Sequence, residues 1–277
     1  MKDLKMGIQL YSVRDEMAKD MDKTLGAVKS AGYDYVEFAG FFGKSAEEVK
    51  DILAKHELTA ISVHQNAVPY MEAESAKAMI KYLQTLGIKN SVLPWYDKAL
   101  FKGEEMAKTV KTFNEIAKML NDNGIELGYH NHDFEFDKFG DKYILDYLYD
   151  NVPALRAELD LCWVNYGGED PVKYVKKYGN RASLVHFKDF FAKGNKTTVY
   201  ALIDENGKEI KKEANQADNQ FKFMPLGQGV QKWAPIVDAV KESDIEYVIY
   251  EKDEWYDGDA IADAIVSREY IKKNFGF

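Results

Sequence analysis

The sequence contains few of the features that mark disulfide-rich or membrane proteins. It has a single cysteine, Cys162, so no disulfide can form within the chain. Its apolar runs are all far shorter than the roughly 20 residues that span a bilayer. The first residues, MKDLKMGIQLYSV, lack the apolar segment of a signal peptide. These absences predict a cytoplasmic protein that does not associate with a membrane.

Basic residues are fewer than acidic residues. The chain has 37 Lys and Arg against 46 Asp and Glu, giving a formal net charge of −9. The densest basic run, Lys208 to Lys212, is short. Because such a balance repels a phosphate backbone, we expect no nucleic-acid partner.

The remaining composition is that of an ordinary globular protein, with 46% hydrophobic and 30% charged residues. A length of 277 residues fits one large α/β barrel. No linker or low-complexity stretch marks a boundary, so we expect a single domain over residues 1–277.

Short β-branched or aromatic runs alternate with longer amphipathic segments. The predicted strands are 6–13, 33–40, 58–65, 90–95, 125–132, 155–164, 182–190 and 246–253. The predicted helices are 15–31, 46–56, 71–87, 103–123, 142–150, 170–178, 231–241 and 258–273. Eight strand-then-helix units indicate an α/β fold, a (β/α)8 TIM barrel, rather than an open doubly wound sheet. The glycine patterns typical of nucleotide binding are missing, which argues against a nucleotide-binding function.

One irregular region, 191–230, follows predicted strand seven. Its segment TTVYALIDENGKEIKKEANQ predicts a β-hairpin around Asn206 and Gly207. An insertion on this loop would lie near the active-site face. There it is either a lid over the active site or a solvent-exposed segment without a functional role.

Polar residues lie where the predicted strands end, which is the active-site face of such a barrel. They are Glu37, His64, His130 with His132, Asp160, His186 with Lys188, and Glu251. Taken singly, each has an ordinary interpretation as a hydrogen-bonded core residue or a solvated rim residue. Taken together, carboxylate and imidazole groups from successive strands are the ligands that divalent Mn, Mg, Co or Zn favours. We therefore predict a metal site of Asp160, His186 and Glu251, with His130 as the fourth ligand.

Other side chains are candidates for substrate contact or support. Tyr11, Trp95, Trp163 and Trp255 offer aromatic faces that suit the C–H faces of sugars, although aromatics at strand ends also plug barrels. Glu37 is a further candidate for substrate binding, and Lys188 either contacts substrate or pairs with a carboxylate such as Glu158. Asp133, Glu135 and Asp189 are either partners that orient the histidines or solvated loop carboxylates. His56 is predicted to be a surface residue at a helix end.

Several segments in this order resemble a known family. They are GIQLYSVRDEM at the start, GYHNHDFEF, ELDLCWV, VHFKD, LGQG and YEKDE. Together they resemble the xylose isomerase-like barrel superfamily, specifically its sugar phosphate isomerase/epimerase branch. The resemblance implies one divalent cation, most often manganese, held by a strand-five side chain and by Asp160, His186 and Glu251. Many relatives carry a glutamate where this chain has His130, and in ketose epimerases that glutamate also moves protons.

The function expected on these grounds is a sugar isomerase or epimerase that removes a proton next to a carbonyl polarised by the cation. Glu251 would act as ligand and base, and Lys188 would stabilise the oxyanion. His132, His64 or Glu37 would handle a second proton.

The partner would be a small sugar or polyol, with a homo-oligomer left open. Gly227 and Gly229 are the only residues that suggest a phosphate-binding loop. An unphosphorylated sugar is therefore favoured.

Three alternatives stay open. The first is a metal-dependent dehydratase or lyase acting on a keto-inositol or a 3-keto-glycoside, and the second is a non-catalytic sugar-binding barrel. The third, an apurinic endonuclease, is opposed by the acidic charge and by the presence of only five histidines.

Overall fold

Eight parallel strands form a closed barrel in the computed structural model, which describes residues 2–193, 202–203, 209–210, 221–255 and 258–277. The strands are β1 (Lys5–Gln9), β2 (Tyr35–Phe38), β3 (Thr59–His64), β4 (Asn90–Leu93), β5 (Glu126–His130), β6 (Arg156–Asp160), β7 (Leu184–Phe187) and β8 (Tyr247–Tyr250). Each strand pairs with its neighbours in sequence, and β8 closes the ring on β1. The predicted (β/α)8 barrel is confirmed.

The connections between these strands are mainly helical. The helices are α1 (Arg14–Lys19), α2 (Met21–Ser30), α3 (Ala46–Lys55), α4 (Ala73–Leu86), α5 (Glu105–Asn121), α6 (Ile144–Asn151), α7 (Leu161–Tyr166), α8 (Pro171–Tyr178), α9 (Trp233–Lys241) and α10 (Ala260–Phe275). Within the described ranges, no helix combines the length and apolar character that crossing a bilayer requires.

The predicted elements differ from the structure most clearly in three places. The first strand ends at Gln9, and Leu10–Val13 forms a 3₁₀ turn. The sixth strand ends at Asp160 because its carboxylate accepts a hydrogen bond from Trp163 N (2.9 Å) and so begins helix α7. The predicted helix 15–31 is two helices, since Asp20 is extended and its side chain caps α2.

The insertion after β7 is partly described. Leu202–Ile203 pairs antiparallel with Glu209–Ile210, as the predicted hairpin requires, while its turn at Asn206 and Gly207 lies outside the described residues. Asp189–Phe191 pairs antiparallel with Lys222–Met224 and joins the two ends of the insertion.

The barrel interior changes character along its axis. A small cluster of Ile61, Leu184 and Ile249 fills the N-terminal part of the interior and is separate from the main core between strands and helices. Because side chains on one face of a strand recur every second residue, Leu184 is followed on the inside by His186, and Ile249 by Glu251. The interior is therefore apolar at one end and polar at the other.

Candidate metal centre

Four side chains converge at the polar end of the barrel. His130, Asp160 and His186 end or nearly end β5, β6 and β7, and Glu251 directly follows β8. One ligand atom from each lies within 4.8 Å of the others, and all four residues are buried. The structure thus brings together the four predicted ligands, which we call the rim quartet.

The rim quartet fits a single divalent cation. Two imidazoles and two carboxylates form a donor set that Mn, Co or Zn accepts. Asp160 Oδ2 is buried, accepts no hydrogen bond from the described residues, and lies 3.1 Å from Lys188 Nζ. His130 Nε2 lies 3.5 Å from this oxygen, and His186 Nδ1 lies 2.9 Å from Glu251 Oε2. A buried carboxylate oxygen that accepts no hydrogen bond from the described residues and faces His130 Nε2 fits the role of a metal ligand.

Two further carboxylates lie deeper in the barrel, and we call Glu37 and Glu158 the inner pair. Glu158 precedes Asp160 by two residues on β6 and therefore shares its face one layer below. Glu158 Oε1 lies 2.6 Å from His64 Nε2 and 2.9 Å from His130 Nδ1. Glu37 Oε1 lies 2.8 Å from His186 Nε2. His64 and Glu37 thus join the site from below the rim.

Burial and charge act in opposite directions on this group. Burial raises the pKa of Glu37, but the charges of His64 and His186 outweigh it and lower that pKa to about 2. Burial and the nearby Glu37 raise the pKa of Glu158 to about 7. Burial lowers the pKa of His186, yet the surrounding Glu158, Glu251 and Glu37 raise it well above its usual value. A cationic His186 between carboxylates is therefore favoured in the metal-free site.

Lys188 lies beside the rim quartet. Its Nζ is 2.9 Å from Glu251 Oε2, 3.1 Å from Asp160 Oδ2 and 3.0 Å from Asp253 Oδ1. These are the ion pairs of Lys188, whereas Glu158, the partner considered from the sequence, contacts imidazoles instead. Burial lowers the pKa of Lys188, but the three carboxylates raise it well above its usual value, so the amine stays charged.

His132 borders the site from the loop after β5. Its ring centroid lies 5.3 Å from that of His130 and 5.7 Å from that of Trp163. Burial, and next the charge of Lys188, lower its pKa to about 3. His132 N donates to Glu135 Oε2 (2.7 Å), and the carboxyl group of Glu135 is fully buried. Glu135 therefore positions the backbone of His132, as a supporting partner would.

Asp189 has a different role from the one considered for it, since it does not orient a histidine. Its Oδ2 accepts hydrogen bonds from Gly227 N (3.0 Å), Gly229 N (3.1 Å) and Trp233 Nε1 (3.0 Å), and its Oδ1 accepts one from Gln231 N (3.2 Å). A Cβ added at Gly229 would lie 2.1 Å from Oδ1. The backbone amides that were candidates for phosphate binding therefore donate to a carboxylate of the protein itself.

The aromatic candidates divide into three groups. Trp163 is fully buried in α7, and Lys188 Nζ lies 5.3 Å from its ring. The Arg14 guanidinium lies over both Tyr11 (4.1 Å) and Trp255 (4.7 Å), so these two rings flank one cation. Trp95 is partly buried against the main core. Their contact with substrate stays a prediction.

Sequence reasoning overlooked several members of the site. Gln9 and Ser62 are fully buried and donate to Glu37, and Asp253 pairs with Lys188. Glu158 lies two residues before Asp160 and therefore on the same face of β6, and this spacing is the signal that could have placed it in the site. His56 ends α3, where it pairs with Asp22.

Comparisons with known proteins agree with this architecture. A family model described as "Xylose isomerase-like TIM barrel" matches residues 25–273. An inosose dehydratase of Clostridium perfringens (strain 13 / Type A) is 26% identical, with 98% of this chain and 97% of the relative covered.

Two solved structures share the fold. A sugar phosphate isomerase/epimerase from Parabacteroides distasonis has a TM-score of 0.74 at 21% identity, covering 99% of each chain. A D-allulose 3-epimerase from Methylomonas sp. in complex with D-allulose has a TM-score of 0.68 at 20% identity, covering 99% of this chain and 98% of that one.

Proposed function

This chain belongs to the xylose isomerase-like TIM barrel family, and on that premise we propose that it is a divalent-metal-dependent enzyme acting on a keto-sugar or keto-polyol. The reaction would begin with removal of a proton next to the substrate carbonyl. The observation that carries the proposal is the rim quartet, whose four ligand atoms lie within 4.8 Å of one another. Mn²⁺ is the first candidate ion, followed by Co²⁺, Mg²⁺ and Zn²⁺.

The residues around the rim quartet suit this chemistry. A divalent cation held there would supply Lewis-acid polarisation of the carbonyl group. Burial raises the pKa of Glu251, but Lys188 and His186 lower it well below its usual value, so Glu251 is ionised and available as a base. Lys188 is charged and donates to an oxyanion or to a leaving hydroxyl group.

Dehydration is the outcome that we favour. At the end of β5, where many epimerases of this superfamily carry a second carboxylate, this chain has His130. The site therefore pairs one carboxylate base, Glu251, with one ammonium acid, Lys188. Glu251 would take the proton from carbon while the adjacent hydroxyl leaves as water with a proton from Lys188, forming a C=C bond. The nearly full-length likeness to an inosose dehydratase makes a keto-inositol the first substrate to test.

Isomerisation or epimerisation is the second candidate, and one observation favours it. His132 borders the rim quartet, with its ring centroid 5.3 Å from that of His130. This position would let Glu251 and His132 together provide two proton-transfer groups.

An unphosphorylated substrate fits the loop after the insertion. TIM barrels that bind phosphate often use backbone amides after strands seven and eight. Here the amides of Gly227, Gly229 and Gln231 donate to Asp189. The cytoplasmic location and any homo-oligomer stay predictions.

The test is incubation of the metal-free and Mn²⁺-loaded protein with inosose and a panel of keto-sugars in D₂O. We expect a product lighter by one water from the loaded protein alone. Deuterium at carbon in an unchanged or isomeric sugar would instead indicate isomerisation or epimerisation. Sugar binding without exchange or product on any substrate would favour a non-catalytic sugar-binding barrel and contradict the proposal.

A further inference from the structure

Each of the two imidazoles of the rim quartet lies between carboxylates of the rim and carboxylates of the inner pair. His186 Nδ1 lies 2.9 Å from Glu251 Oε2 at the rim, while its Nε2 lies 2.8 Å from Glu37 Oε1 below. His130 Nε2 lies 3.5 Å from Asp160 Oδ2, while its Nδ1 lies 2.9 Å from Glu158 Oε1. In both rings one nitrogen points to the rim and the other to the inner pair.

The inner pair is itself held in place. Glu37 is 0% exposed, and its Oε1 accepts a hydrogen bond from Gln9 Nε2 (2.6 Å) while its Oε2 accepts one from Ser62 Oγ. Glu158 is 1% exposed, and its Oε1 contacts His64 Nε2 at 2.6 Å. His64 Nε2 also lies 3.2 Å from Glu37 Oε1, so this third imidazole links the two carboxylates.

Resting on the proposed function, we propose that Glu37 and Glu158 are positioning residues for the metal ligands His186 and His130. Each carboxylate accepts the N–H of the ring nitrogen that faces it. The opposite nitrogen then carries the lone pair toward the rim, in the tautomer that a metal ligand needs. Carboxylates bonded to ligand histidines fix the ring orientation and raise its basicity in many metal sites.

A second cation within the inner layer is the competing interpretation. One ligand atom each from His64, His130, Glu158 and His186 also lies within 4.8 Å of the others. The nitrogen to oxygen distances in this group, 2.6 to 3.1 Å, are those of hydrogen bonds. A second ion would also have to share both imidazoles with the rim, so we assign protons rather than metal to these contacts.

The experiment is titration of the metal-free full chain with Co²⁺, followed by chelator competition and by the visible absorption of bound Co²⁺. We expect Glu158→Ala to weaken Co²⁺ binding by about 10- to 100-fold and to change the spectrum. Glu158→Gln keeps an acceptor oxygen and should recover most of the affinity. The control is Asp146→Asn on α6, which removes a hydrogen-bonded carboxylate whose partners are Tyr178 and Lys177; its Co²⁺ affinity should match that of the wild type.

A double-mutant cycle separates positioning from general loss of structure. In a His130→Ala background, Glu158→Ala should weaken Co²⁺ binding less than in the wild-type background, because the contact with His130 is already gone and only the contact with His186 Nε2 (3.1 Å) remains. The same loss in both backgrounds, or unchanged affinity in folded Glu158→Ala protein, would overturn the inference.

Stoichiometry distinguishes the remaining outcomes. Two Co²⁺ per wild-type chain, with one lost in Glu158→Ala, would replace the inference by a second metal site. If the wild type binds no Co²⁺, or if Asp160→Asn binds it equally well, the proposed function fails together with this inference.

Discussion

Lys188 holds a buried ammonium group next to the two carboxylates of the rim quartet. Because this charge would repel a divalent cation, its contribution should be to turnover and not to metal binding. We predict that Lys188→Gln lowers kcat by about 100-fold or more while the metal content is retained, measured by steady-state kinetics and elemental analysis. Lys252→Gln is the matched control, since Lys252 is also buried but pairs with Asp263 on α10. Loss of metal in Lys188→Gln, or unchanged kcat, would contradict this role.

Glu135 gives a pH dependence of stability. Burial raises its pKa to about 8, so the folded protein holds a proton that the unfolded chain has released by neutral pH. Its contribution is therefore fully present below the ordinary carboxyl pKa and is lost as the pH rises toward 8. We predict that the free energy of unfolding of Glu135→Gln increases relative to the wild type between about pH 5 and pH 8. Urea titrations at several pH values would measure this, and parallel curves would refute the shift.

At the scale of elements, Asp189 joins the end of β7 to the loop 225–231. Hydrogen bonds to a charged group contribute about 1.5 to 3 kcal/mol each, although not additively. We therefore predict that Asp189→Ala lowers the free energy of unfolding by about 3 kcal/mol or more and speeds hydrogen exchange at the amides of Gly227, Gly229 and Gln231. Asp189→Asn, which keeps an acceptor, should cost less. Unaltered exchange at these amides would rule out this role of Asp189.

The elements show what sequence patterns capture and what they miss. Eight strands were predictable because short apolar runs alternate regularly with amphipathic segments. The predicted strand 155–164 includes residues 161–164, which lie in α7, because a short apolar segment has the same pattern in a buried strand and in a buried helix. Whether this segment forms a strand or a helix depends on the Asp160 side chain, which caps α7 by accepting a hydrogen bond from Trp163 N. That cap depends on the direction of the backbone and not on composition.

The same distinction applies to the site. The rim quartet was predictable from residues at strand ends, since these ends meet at one face of a barrel. Glu37 was a strand-end candidate and Glu158 shares the face of Asp160, but the contacts of both with His64 and His186 were not predictable, because these four residues come from four different strands. Such contacts depend on the closure of the barrel, and no local spacing encodes it.

At the scale of the whole molecule, the polar end of the barrel concentrates negative charge. Among the described residues, five carboxylates meet a single ammonium group there: Glu37, Glu158, Asp160, Glu251 and Asp253 surround Lys188 and the imidazoles. Protonated imidazoles offset part of this excess, and a divalent cation would offset more. The fold is therefore expected to gain stability when the metal binds.

This gain can be measured as a melting temperature. An ion present at 100 times its Kd adds about 2.7 kcal/mol to the free energy of unfolding. For a chain of this size we expect Mn²⁺ to raise Tm by about 5 °C or more. Asp160→Asn should show no such rise, because the ion would lose a ligand. An equal rise in both proteins would place the bound ion elsewhere.

The most direct measurement is anomalous diffraction from crystals of the protein soaked in Mn²⁺. The account predicts one strong peak at about 2.1 Å from ligand atoms of His130, Asp160, His186 and Glu251. Crystals in which those four side chains bind no Mn²⁺, or in which the ion lies only at another site, would contradict it.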